Sequence, residues 1–165
     1  MTPFRRAALL GVILASTGVP SWSTAQELSL GGAFAADPTA PVEVTSEALN
    51  VDQATGAATF TGDVVIGQGD LRLEAGEVEV RYDEATSAIA RLLATGGVTL
   101  ATPSEAAEAE AADYDLTART LTLTGEVLLT QGPSAISADR MVVDLASGTA
   151  RMEGNVRTIL QQAAP

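Results

Sequence analysis

Four short segments repeat one glycine in one setting: FTGDV at 60–64, ATGGV at 94–98, LTGEV at 123–127 and MEGNV at 152–156. The glycines at 62, 96, 125 and 154 are separated by 34, 29 and 29 residues. A fixed period near thirty residues marks stacked or wound units, none of which buries its apolar face alone. The positions four and two before each glycine, and two after it, are apolar or small: Ala58, Phe60 and Val64; Leu92, Ala94 and Val98; Leu121, Leu123 and Val127; Ala150, Met152 and Val156. Side chains two apart on a strand share a face, so these residues line one face of a sheet, and plain alternation puts the glycine there too. Glycine weakens a strand interior, so its recurrence points to a bend, a bulge or a close backbone approach at the same level of each unit. Ordinary hairpin turns are the simpler alternative.

A second register accompanies the first. TSEALNVD (45–52), AGEVEVR (75–81), AEAADYD (109–115) and ADRMVVD (138–144) each carry a small residue followed by two core-type side chains: Leu49 and Val51, Val78 and Val80, Ala112 and Tyr114, Met141 and Val143. The step from this segment to the next apolar position is six residues in three copies and eleven in the fourth (81 to 92), which assigns five extra residues to the stretch between Arg81 and Leu92. Short period-two runs bounded by QATG, GQG, DEATS and ASG make the fold class all-β. One stretch conflicts: SEAAEAEAA (104–112) has helix-forming composition. Its place in the repeat and its Glu-Ala alternation predict a strand.

The amino terminus reads differently. Arg5 and Arg6 precede the apolar run AALLGVILASTGV, and Ser23-Thr24-Ala25 supplies small residues for cleavage, the order of a secretory signal peptide over 1–25. The run is short for a membrane span. Residues 26–41, rich in Gly, Ala and Pro, read as a linker or lead-in segment, 42–160 as the β domain and 161–165 as a tail. The whole chain has formal charge −12, and an acidic surface repels phosphate backbones, so nucleic acid is a poor partner. There is no Cys and no His, and all nine basic residues are Arg. These absences exclude a Ser-His-acid triad, a thiolate or Schiff-base nucleophile, and an imidazole or thiolate zinc site. No cofactor and no metal site is expected; carboxylate chemistry with Ca²⁺ stays open in principle.

The segments VEVTSEALNVDQATGAATFTGDVVIGQGDLRL, YDLTARTLTLTGEVLLTQG and ADRMVVDLASGTARMEGNV resemble the OstA-type repeats of the LptA/OstA-like family of periplasmic lipopolysaccharide-transport proteins. The resemblance runs from about Val42 to Leu160. It implies a β-jellyroll of two antiparallel sheets forming an open V-shaped groove. It also implies a periplasmic, non-enzymatic role: lipopolysaccharide passes from the inner to the outer membrane with its lipid A acyl chains in the groove. The partners implied are an LptC-like protein at the inner membrane, an LptD-like protein at the outer membrane, and further copies joined head to tail.

On that reading the groove residues are Phe60, Val64, Ile66, Leu92, Val98, Leu121, Leu123, Val127, Met152 and Val156, and edge pairing with partners falls to Val42, Val44, Thr158 and Leu160. Each buried acyl methylene gains about 0.8 kcal/mol, and the gain is non-directional, so a chain can slide along an apolar track. Residue pattern alone leaves two alternatives: the same side chains meet in a closed core of a β-rich envelope scaffold without cargo, or the acids serve a Ca-dependent, polysaccharide-active β-solenoid.

Overall fold

The computed structural model describes residues 27–29, 34, 37 and 39–159; residues 1–25, read above as a signal peptide, Leu160 and the tail 161–165 lie outside them. No helix occurs among the described residues. The strands are β1 (Glu27–Ser29), β2 (Glu43–Thr45), β3 (Ala48–Val51), β4 (Ala58–Gln68), β5 (Leu71–Tyr82), β6 (Ile89–Ala101), β7 (Glu105–Ala109), β8 (Ala111–Asp115), β9 (Thr120–Gln131), β10 (Ser134–Asp144), β11 (Thr149–Glu153) and β12 (Arg157–Ile159). Residues 105–109 and 111–115 are strands, as the repeat predicts against local helix propensity. Pairing to two neighbours, β6 and β9, overrides it.

All pairs are antiparallel and form one hydrogen-bonded set in the order β1-β11-β10-β9-β7-β6-β5-β4-β2, with β3 on β4, β8 between β6 and β9, and β12 on β10. The recurring glycines crease this set. On β4 the pairing moves from Thr61 opposite Glu77 to Val64 opposite Ala75, so Gly62 and Asp63 face the single residue Gly76. The same two-for-one bulge recurs on β6 at Gly96-Gly97 and on β9 at Gly125-Glu126. The fourth, Gly154-Asn155, separates β11 from β12, both paired to β10. Both residues of each bulge hold positive φ, Gly125 at 82° and Glu126 at 45° for instance. A bulge bends its strand, so four bulges at one level bend the whole sheet along one line. The two sheets implied by the resemblance are therefore two arms of one continuous sheet. Arm A carries β1, β3, β8, β11 and the segments of β4–β6, β9 and β10 on their side of the crease; arm B carries β2, β7, β12 and the other segments of those long strands.

The glycine does not lie on the interior face, contrary to plain alternation. A side chain at Gly125 would run into Glu110, one at Gly154 into Asp139 and one at Gly62 into Glu47, while Gly96 approaches the backbone of Gly76. The bulge absorbs the extra residue, which lets the interior positions before and after it stay in step. On the unbulged strands the step is three residues, Ala75 to Val78 and Ala138 to Met141, because two residues at the crease turn outward together.

Three other expectations change. Residues 27–29, read as lead-in, form β1 on β11, and Phe34 in the same segment is fully buried. Leu49 and Val51 are 52% and 62% exposed rather than core, since β3 is an edge strand with a partner only on the β4 side. The five extra residues before Leu92 do not enlarge a loop. They lengthen the β5–β6 hairpin past Val80–Leu92, through an irregularity at Arg81/Tyr82, to Tyr82 opposite Ile89.

Hairpin ends repeat as well. Asp52, Asp83, Asp115 and Asp144 each accept backbone N–H bonds within their own turn, the shortest at 2.8 Å in every case, from Ala54, Thr86, Ala118 and Ala146 respectively. Such aspartates stabilise turns by replacing a backbone acceptor.

Candidate functional site

The cross-strand registers arrange interior side chains in rungs running across the sheet. Beside the crease, arm B presents Val64, Ala75, Val98, Ala109, Val127 and Ala138; the next rung is Val44, Ile66, Leu73, Leu100, Ala107, Leu129 and Ile136. Arm A presents Phe60, Val78, Ala94, Ala112, Leu123, Met141 and Met152, then Ala58, Val80, Leu92, Tyr114, Leu121, Val143 and Ala150. Nearly all are buried in one apolar cluster. Residues of both arms, among them Ile66, Leu73 and Leu100 of arm B with Leu92, Ala94 and Leu121 of arm A, line one cavity. The arms therefore face each other across it.

That cavity measures ≈ 20 Å³, room for about one water. In this conformation the two arms leave no room between them for an acyl chain. A polar contact spans them: the Tyr114 hydroxyl donates to Gln68 Oε1 at 3.1 Å. Burial raises the Tyr114 phenol above its ordinary range, which keeps it a donor.

Of the residues proposed from sequence, Val64, Ile66, Leu92, Val98, Leu121, Leu123, Val127 and Met152 are buried on the interior face, and Phe60 is partly buried against the cluster. Val156 is not: it lies just past the fourth bulge, outside the strands, and is 42% exposed. No strand follows β12 among the described residues to cover it. Val44 sits in β2 opposite Ile66, and Thr158 in β12 opposite Ile136; among the described residues each strand has one partner. Val42 has a further place, lining the cavity. Leu160 lies outside the described residues.

Sequence reasoning passed over Leu71, Leu73, Leu100 and Leu129, all buried. Their signal was present, because each continues the alternation that starts beside a crease position. It also gave no hint of Glu105, the one buried charged residue among those described, at 5% exposure. Glu105 Oε1 accepts a bond from Gln131 Nε2, and Oε2 has no partner. Burial raises its carboxyl above the usual glutamate range, with the Gln131 bond acting in the opposite sense. Among the described residues no three His, Cys, Asp or Glu groups are placed to hold a metal ion.

Residues 43–158 match the family described as "LptA/(LptD N-terminal domain) LPS transport protein". The chain belongs to this family. As a member of it, the chain is also similar to a protein of Rhizobium meliloti (strain 1021) printed as "Uncharacterized protein R00383", with 26% identity over 121 residues. That alignment covers 68% of this chain and 65% of the relative, so the chain matches somewhat less than two thirds of the relative's length. Among solved structures it resembles LptH of Pseudomonas aeruginosa, titled the LptA homologous periplasmic component of the lipopolysaccharide transport device. The TM-score is 0.68 at 16% identity, covering 77% of this chain and 99% of that one. At that identity the likeness bears on the fold, and it matches the all-β creased sheet of this family member.

Proposed function

We propose that the chain is a periplasmic lipopolysaccharide carrier that moves its cargo from the inner toward the outer membrane, with acyl chains held between the two arms. The observation that carries this reading is the double apolar lining, several rungs on each arm, bridged by a neutral side-chain hydrogen bond from Tyr114 to Gln68. A neutral hydrogen bond contributes about 1 kcal/mol net, far less than a buried acyl chain gains at about 0.8 kcal/mol per methylene. Parting the arms also exposes apolar surface, which an acyl chain lying between them covers again, so cargo can hold open what is otherwise shut. Family membership supports the same reading. The singly paired strands β2, β3 and β12 suit strand addition by LptC-like and LptD-like partners or by further copies.

A second reading, an envelope scaffold with a filled core, draws on the ≈ 20 Å³ cavity. A photo-crosslinker separates the two. At Leu123, fully buried, it forms lipopolysaccharide adducts in cells, and at the outward neighbour Thr122 it does not. Adducts at Thr122 alone, or none at either site in folded protein, overturn the carrier reading.

A further inference from the structure

The outermost rung of arm B differs from the others. Gln68 lies opposite Leu71; Thr102 N–H donates to the Glu105 carbonyl at 2.9 Å; Glu105 lies opposite Gln131; and Gln131 lies opposite Ser134. The two rungs nearer the crease hold no polar side chain, whereas this one is Gln, Leu, Thr, Glu, Gln, Ser. Glu105 shares its face with Ala107, which is fully buried and paired with Leu100 and Leu129, so its carboxyl lies over the apolar interior and not on the outer surface. The cavity reaches this rung at Gln68 and Leu71.

A buried oxygen without a partner is costly, because it gives up its bonds to water and gains none in exchange. The arrangement fixes half of the carboxyl and leaves the other half free: Gln131 holds Oε1, while Oε2 is buried and unpartnered. A carboxyl in this state accepts from a hydroxyl or N–H, or, when protonated, donates to a carbonyl. An acyl lipid carries such groups at one place, the ester, amide or hydroxyl junction where hydrocarbon meets headgroup.

We propose that Glu105 is a binding residue for the polar junction of an acyl lipid, so that hydrocarbon lies toward the crease and the headgroup emerges over the outer rung of arm B. This inference rests on the carrier reading and adds to it an orientation and a selectivity. Plain hydrocarbon fills the two apolar rungs; a chain with a hydrogen-bonding junction gains the Glu105 contact as well.

The test uses the full chain and two probes with the same sugar, attachment carbon and number of chain atoms, N-dodecanoyl glucosylamine with an amide junction and dodecyl glucoside with an ether-type glycosidic junction. Wild-type protein should bind the amide probe about tenfold more tightly, the equivalent of one hydrogen bond. Glu105→Leu should abolish that preference by weakening amide binding while leaving ether binding unchanged. Circular dichroism verifies the fold, and Glu105→Met, unbranched and adaptable in a core, replaces the leucine variant if that one does not fold. Equal binding of both probes by wild type, or a preference that survives in the variant, overturns the Glu105 assignment and leaves the carrier reading standing. Failure of wild type to bind either probe overturns both.

Discussion

At the scale of single residues, ionisable groups pull stability in opposite directions with pH. Asp52, Asp83 and Asp144 have carboxyls held below the usual aspartate range, chiefly by backbone N–H groups of Ala54, Thr86 and Ser147 respectively. Their stabilisation is present above the unfolded aspartate pKa and is lost as pH falls through the lowered folded values. Glu105 has the reverse sign. Its folded pKa is raised by burial, so its favourable contribution is complete below the unfolded glutamate pKa and disappears as pH rises through the folded value. Glu105→Gln removes that titration. The melting temperature of the variant should therefore gain on wild type as pH rises through this window, and the difference should be flat in stronger acid. A difference independent of pH from acid to neutral would show that Glu105 does not titrate differently in the fold.

At the scale of elements, the bulge is the repeated unit, and its two positions make different demands. The second tolerates side chains: Asp63, Glu126 and Asn155 hold φ of 42°, 45° and 46° there, and Gly97 occupies the same place on β6 with nothing within 4 Å of an added Cβ. The first does not, because at Gly125 a Cβ meets the Glu110 side chain and the backbone sits at φ 82°. Gly125→Ala should cost about 1–3 kcal/mol, and Gly97→Asn, at φ 83° but with nothing for its Cβ to meet and with a residue that visits positive φ, should cost measurably less, both read from urea midpoints at unchanged slope. Equal costs would mean that the crease is not built on the first glycine. Much of this was legible in the sequence, since the 29-residue spacing and the step from Ala75 to Val78 are the bulge seen from its two sides. The direction of the glycine was not, because alternation counts residues and a two-for-one bulge breaks the count. Nor were the exposure of Leu49, Val51 and Val156, which depends on where the sheet runs out of strands and not on local pattern.

At the scale of the whole molecule, the interior residues were readable because every rung repeats one alternation, whereas Glu105 and the Tyr114–Gln68 contact depend on which strand ends and opposed arms meet in space. On the proposed carrier reading the central act of the molecule is separation of two faces. Parting the arms exposes apolar surface at about 25 cal/mol per Å², so an empty open state is unfavourable and the open state needs cargo to cover it. The chain has no Cys, so a Gln68→Cys, Tyr114→Cys double variant carries two thiols only, one on each arm. A short, cleavable thiol cross-linker between them fixes the arms together. The uncross-linked double variant should load lipopolysaccharide about as well as each single variant, the cross-linked form should load almost none, and cleavage of the linker should restore loading. Circular dichroism of the cross-linked protein should match that of the free form, which excludes unfolding as the cause. If the cross-linked protein loads lipid at the level of the free one, cargo does not pass between the arms, and the apolar rungs serve to hold the sheet together and nothing else.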